Sequence, residues 1–230
     1  MKLLYHEYGL EWTLRENTVH RLIIEHPQVY GDFLQTLYDQ CDGEDGDIVL
    51  MEGAKSLSFK KKVALILEPF SLKFDAANLM KALYEELSGI VTEEQHTEYT
   101  MLRSELQRFM NLAMQKLPYP MDFNDEPALK DFFKFMNLRF DYAYETLAEK
   151  LCGYLSLLAQ LCHIQVAFLV DCDKYLTAAE LALLQETLQY HKIILIQIED
   201  RQRSEILPEE SCCIIDHDFC IIHNNPEELL

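Results

Sequence analysis

The chain has 230 residues, 49% of them apolar and 26% charged, with 39 acids against 20 bases and a formal charge of −19. That composition excludes disorder and leaves enough chain for a real core, and seven glycines and seven prolines exclude collagen-like or low-complexity character. The negative balance argues against nucleic acid or anionic membrane as a target of the whole surface, while leaving room for a local basic patch and for bound cations.

The N-terminal MKLLYHEYGLEW has neither a long apolar run nor a small-residue cleavage site, so no signal peptide is expected. No apolar stretch reaches 18 residues, so no membrane span is expected. Further on, Val19 to Ile24, Asp47 to Met51 and Val63 to Leu67 read as short strands. Asp42-Gly43, Asp45-Gly46 and Glu52-Gly53 are turn signals between them. Phe33, Leu34 and Leu37 recur at helical spacing between Val29 and Tyr38.

The pattern changes near Phe74. Leu79, Leu83 and Leu87, then Met101, Leu102, Leu106, Phe109, Met110 and Ala113, predict two helices broken near Gly89 or Thr92. Pro118, Pro120 and Pro127 interrupt the helical pattern and mark a joint. A short helix from about Ala128 to Asn137 and a long one from about Tyr144 to Cys162 follow. Gln165 to Val170 and Ile193 to Ile198 read as buried strands. Between them Thr177-Ala-Ala-Glu180 forms a capping box for a helix with Leu181, Leu184 and Leu188 inward. This is a βαβ unit with parallel strands. The runs Cys212 to Ile215 and Phe219 to Ile222 close the chain. The fold class is therefore α/β. A discontinuous sheet domain is expected from residues 1–74 and 159–230, with an all-helical domain at 75–158.

Four groups of residues invite chemistry. Asp171 and Asp173 sit where a parallel strand ends, the usual place for ligands, and an aspartate there resembles the Mg²⁺-holding residue of nucleotide hydrolases. No G-x-x-x-x-G-K-[ST] accompanies them, and a solvated strand end is the plainer reading. Cys212, Cys213, His217, Cys220 and His223 lack C-x-x-C spacing, and alternate strand residues point to opposite faces, against zinc. An odd count of cysteines (Cys41, Cys152, Cys162, Cys172, Cys212, Cys213 and Cys220), several in apolar runs, reads as reduced cytosolic thiols. Asp122, Asp125, Glu126, Asp131, Asp141 and Glu145 surround the joint, a set of hard oxygen ligands suited to Ca²⁺ or simply a solvated acidic loop. Lys55, Lys60, Lys61 and Lys62 form a segregated basic cluster with no acid between Glu52 and Glu68. They suit phosphate as point charges, or else blunt an edge strand. No G-x-S-x-G or H-E-x-x-H supports a hydrolytic enzyme.

The stretch from Phe168 to Glu199, FLVDCDKYLTAAELALLQETLQYHKIILIQIE, resembles the Csn-two family of type II-A CRISPR-associated adaptation proteins. Leu22-Ile-Ile-Glu25 is similar to that family's early strand ending in glutamate, and Phe74-Asp75 with Asn78 to the start of its helical leg. Thr146-Leu-Ala-Glu149-Lys150 resembles its long return helix, and Asp216-His-Asp218-Phe its closing strand. The resemblance implies a degenerate nucleotide-hydrolase-like head, a helical leg, and a non-catalytic, cytoplasmic ring-shaped homotetramer. It implies that the ring binds ends of double-stranded DNA through a lysine-lined hole and is locked by Ca²⁺. The implied partners in spacer acquisition are the CRISPR integrase and the type II-A effector nuclease. Glu25, Asp122, Asp125, Glu126, Asp131 and Asp141 become calcium candidates, and Lys55, Lys60, Lys61 and Lys62 DNA-binding candidates. Four copies at −19 each total −76, which a basic hole inside an acidic wall reconciles with DNA. A metal-dependent nuclease or nucleotide hydrolase using Asp171 and Asp173, and a protein-binding scaffold without a DNA role, are the competing readings. DNA cleavage, or absence of DNA binding at any salt, would distinguish them.

Overall fold

The computed structural model describes residues 1–16, 18–202 and 210–224. The chain forms two compact units, one from Met1–Leu72 and Ala143–Leu230, the other from Lys73–Tyr142.

The first unit opens with β1 (Lys2–Tyr5) and β2 (Leu10–Thr13), joined through a 3-10 turn that ends at Gly9 with φ 68°. Then come β3 (Val19–Ile24), α1 (Pro27–Asp42), β4 (Ile48–Glu52), β5 (Lys55–Ser56), the single-turn α2 (Phe59–Lys62) and β6 (Val63–Ile66). The second unit contributes α3 (Ala77–Glu94), α4 (His96–Met114) and α5 (Leu129–Phe135). The chain returns to the first unit with α6 (Leu147–Cys162), β7 (Val166–Val170), α7 (Ala178–Tyr190), β8 (Ile194–Glu199), β9 (Glu210–Ile215) and β10 (Ile221–Asn224).

Two sheets result, where the sequence suggested one. The larger has the order β10-β9-β3-β8-β7-β6, parallel except for the antiparallel edge strand β10. The smaller is antiparallel, β2-β1-β4-β5. Parallel strands covered on both faces read as continuous apolar runs, and every residue of β7 and β9 is buried. One face of the large sheet presents Leu22, Ile24, Phe168, Ile196 and Cys213 to a core shared with α1 and the small sheet. Trp12 of β2 reaches across this core, its indole N–H donating to Ser211 Oγ at 3.2 Å. α6 and α7 pack on each other, and α7 packs on β8.

α6 thus belongs with the sheet-bearing unit, whereas the sequence reading placed residues up to 158 in the helical domain. Leu151, Leu155 and Leu158 are buried along it, which gives the helix a packed stripe. The helical unit is thinner. Of the described residues in α3, α4 and α5 only Leu79 is fully buried. The break between α3 and α4 falls at Gln95 and not at Gly89, which stays helical with open space beside it.

Candidate functional site

The lysine cluster is not a lysine-studded strand. Only Lys55 lies on one, in β5 at the edge of the small sheet. Lys60, Lys61 and Lys62 form the turn of α2, anchored by the buried Phe59. Two of the three ammonium groups are already engaged. Lys60 Nζ donates to the carbonyl of Asp42 at 2.7 Å, and Lys62 Nζ to that of His163 at 3.1 Å. Asp42 ends α1 and His163 is the C-cap of α6. Each lysine thus answers the partial negative charge and unpaired carbonyls of a helix C-terminus. Gly43, at φ 109°, lets the Lys60 chain pass, since a Cβ there would lie 2.8 Å from it. Lys55 and Lys61 remain exposed.

A buried polar network runs from Glu210, the first residue of β9, through the middle of β3 to the carboxyl ends of β7 and β8. Arg21, in the middle of β3 and 2% exposed, is its hub. Its Nε donates to Glu210. Its Nη1 and Nη2 donate to the two oxygens of Asp173, the latter at 2.9 Å, and Nη2 also reaches Gln197 Oε1 at 3.1 Å. Glu199, 2% exposed, accepts from the Cys172 thiol at 3.0 Å and from the Asp173 amide at 3.1 Å. Burial holds its carboxyl above the usual range, against the pull of Cys172 and Arg21. Asp171, with φ 55°, accepts from Tyr30 Oη at 3.0 Å and pairs with Lys174 at 2.8 Å. The two aspartates that resemble metal holders thus receive cationic and hydroxyl donors from the protein itself. Cys172, Asp173 and Glu199 are the one trio of possible metal ligands that converges among the described residues, with ligand atoms within 4.8 Å.

Arg21 is the residue sequence reasoning missed. Its signal was present: a guanidinium inside the otherwise buried run VHRLII requires a carboxylate partner.

The acids around the joint do not converge in this way. Asp122, Asp125, Glu126, Asp131 and Asp141 are all exposed. Glu126 lies 3.4 Å from Arg103, and Asp131 3.8 Å from Lys134. Asp122 accepts from the Phe123 amide, and the backbone carbonyl of Asp125 accepts from Gln107 at 2.8 Å. Glu25 belongs to the other unit, at the end of β3, where its amide donates to Ile215. As they stand, the five acids of the helical unit do not form a preassembled calcium cage.

Cys212 and Cys213 face different clusters, as strand alternation requires. Cys213 lies in the main core, Cys212 in a separate cluster with Ile23 and Ile214, and Cys220 is exposed. Burial pushes the Cys212 thiol up to about 11 and the Cys213 thiol up to about 12, away from the thiolate that a metal needs. No helix among the described residues is long and apolar enough to cross a membrane.

The helical unit carries an apolar face that no described residue covers. On α4, Met101 and Phe109 are 66% and 63% exposed, and Leu102, Leu106 and Met110 are exposed beside them.

No curated protein matches the chain. The family described as CRISPR-associated protein (Cas_Csn2) matches it over residues 40–219.

Proposed function

The chain belongs to the CRISPR-associated Csn2 family, and from that premise we propose a non-catalytic ring protein that binds ends of double-stranded DNA in the capture of new spacers. The family match over residues 40–219 is the observation that carries this reading. In it the sheet-bearing unit is a degenerate nucleotide-hydrolase-like head and the helical unit a leg. The β3–α1 junction supports degeneracy, because Glu25-His26-Pro27 offers neither the glycines nor the lysine of a phosphate loop. The engagement of Asp171 and Asp173 by Lys174, Tyr30 and Arg21 supports a protein without turnover. The exposed apolar face of α4 supports assembly into a homotetramer, since contiguous apolar surface of this kind marks interaction sites.

Lys55 and Lys61 are the phosphate contacts we assign to the DNA-facing wall, with Lys60 and Lys62 adding charge behind them. The CRISPR integrase and the type II-A effector nuclease are its partners in this reading, and the cytoplasm its place. Calcium enters as a separate proposal. The joint acids are of the right chemical type for it, but no step of DNA binding is routed through the ion.

The test is a gel shift with linear and closed circular DNA beside a mass measurement by size-exclusion light scattering. A tetramer that shifts linear DNA, shifts closed circles poorly, and loses roughly tenfold or more affinity between about 50 and 200 mM salt agrees with the proposal. A monomer without DNA affinity at any salt overturns it and returns the acidic surface to a protein-binding role.

A further inference from the structure

Between α3 and α5 lies a groove of about 920 Å³, within the range of pockets that take substantial ligands. Its apolar lining comes from Ala77, Met80, Tyr84, Ala128 and Leu129, and Lys81, Lys130 and Lys134 stand around it with a single acid, Glu85. Lys81 and Lys134 have only loose acidic neighbours, Glu85 and Asp131, each at 3.8 Å. Three lysines against one acid around a largely apolar groove are conspicuous in a chain of −19. The pairing of apolar floor and point charges selects an occupant with carboxylates next to aliphatic side chains. Tyr84, tilted against Phe133 at 5.9 Å with its hydroxyl donating to Leu138 O, adds one aromatic ring to that lining.

The chain carries such a sequence outside the described residues. Residues 225–230 read Asn-Pro-Glu-Glu-Leu-Leu. Two adjacent acids precede two leucines. We propose that this segment of a second copy docks in the α3–α5 groove, with Glu227 and Glu228 facing Lys81, Lys130 and Lys134 and the leucines on Met80 and Leu129. The donor being a second copy rests on the assembly proposed above. The groove's preference for an acidic, leucine-bearing peptide does not. Such a contact links copies within one assembly, so its effective concentration, and not its intrinsic affinity alone, sets how firmly it holds.

The experiment uses the full-length protein and a fluorescently labelled synthetic peptide of residues 221–230. Fluorescence anisotropy is expected to show saturable binding that weakens with salt. The double variant Glu227→Lys/Glu228→Lys, whose own segments should leave the groove vacant, is expected to bind the peptide several-fold tighter than the unaltered chain. Lys81→Glu/Lys134→Glu is expected to bind it at least tenfold more weakly. Both lysines are exposed, so folding should survive, and Lys81→Gln/Lys134→Gln with a smaller loss is the second variant should the first not fold. Equal binding by the groove variants and the unaltered protein, or no binding at millimolar peptide, overturns the proposal. Assembly mass is read separately. A tetramer that ignores the peptide removes the docking and leaves the ring, whereas a monomer that binds the peptide leaves the groove and removes the second-copy donor.

Discussion

Lysines that look equivalent in the sequence divide by partner. Lys60 and Lys62 close the C-termini of α1 and α6, whereas Lys61 is exposed. Lys60→Met or Lys62→Met should therefore each lower stability by about 0.5–1 kcal/mol, as measured by urea unfolding, the usual worth of a cation at a helix C-terminus. Lys61→Glu and Lys55→Glu should leave unfolding unchanged and flatten the salt dependence of DNA binding. A loss of stability confined to Lys61→Glu would contradict the division. His20 carries a pH dependence. Its ring is fully buried against Trp12 at 5.3 Å, its Nε2 lies 3.0 Å from the Arg15 amide, and its Nδ1 has no hydrogen-bond partner among the described residues. Burial depresses its pKa to about 4. A histidine depressed in the folded state takes up its proton on unfolding. Its stabilising contribution is therefore full above the ordinary value of about 6.5 and lost as pH falls toward 4, by up to about 3 kcal/mol. Unfolding curves from pH 7 to pH 4 should show that loss, and His20→Gln should flatten that limb.

Among the elements, α4 makes the sharpest prediction. Leu106→Glu/Phe109→Glu changes side chains that the unit itself does not bury, so helicity and melting of the monomer should move little. The assembled mass should fall by half or more, read by light scattering at micromolar concentration. An unchanged mass would assign that face another role. α4 was legible in the sequence as a helix with an apolar stripe, but periodicity reports only that a face is apolar, not what covers it. The β7–α7–β8 unit was legible in more detail. Thr177 and Glu180 make both hydrogen bonds of the capping box, and the buried runs on either side admit only parallel strands covered on both faces. β1 and β2 were not legible, since four-residue strands alternating Leu3 and Tyr5 with Lys2 and Leu4 carry too short a period to read. Of the two readings of the lysine run, edge protection does not hold for Lys60, Lys61 and Lys62, and only the burial of Phe59 and the two carbonyl partners reveal a helix-end clamp. The Arg21 network joins residues up to 189 positions apart, a pairing that no local pattern encodes.

For the whole molecule the surplus of acid is the dominant fact. The exposed carboxylates around the joint repel one another in low salt, and a divalent ion that binds them only in the folded state stabilises by mass action. Millimolar Ca²⁺ should raise the melting temperature, EDTA should reverse the rise, and Asp125→Asn/Glu126→Gln should abolish it. An identical melting curve with and without Ca²⁺ would remove calcium from this chain's properties, whatever its relatives do.

The order β10-β9-β3-β8-β7-β6 has one more consequence, for the protein as it is made. β3 ends at Ile24, yet the strands that flank it begin at Ile194 and Glu210. During synthesis the middle of the large sheet must wait for β8 and β9 to leave the ribosome, while the contacts of α3, α4 and α5 are all available earlier. Sheets closed by such distant pairings form slowly, and a chain arrested before Glu210 would present one bare edge of a buried apolar strand to its neighbours. Nascent chains of this protein should therefore need protection until β9 emerges, and products shortened before Glu210 should accumulate in aggregates more than as soluble fragments.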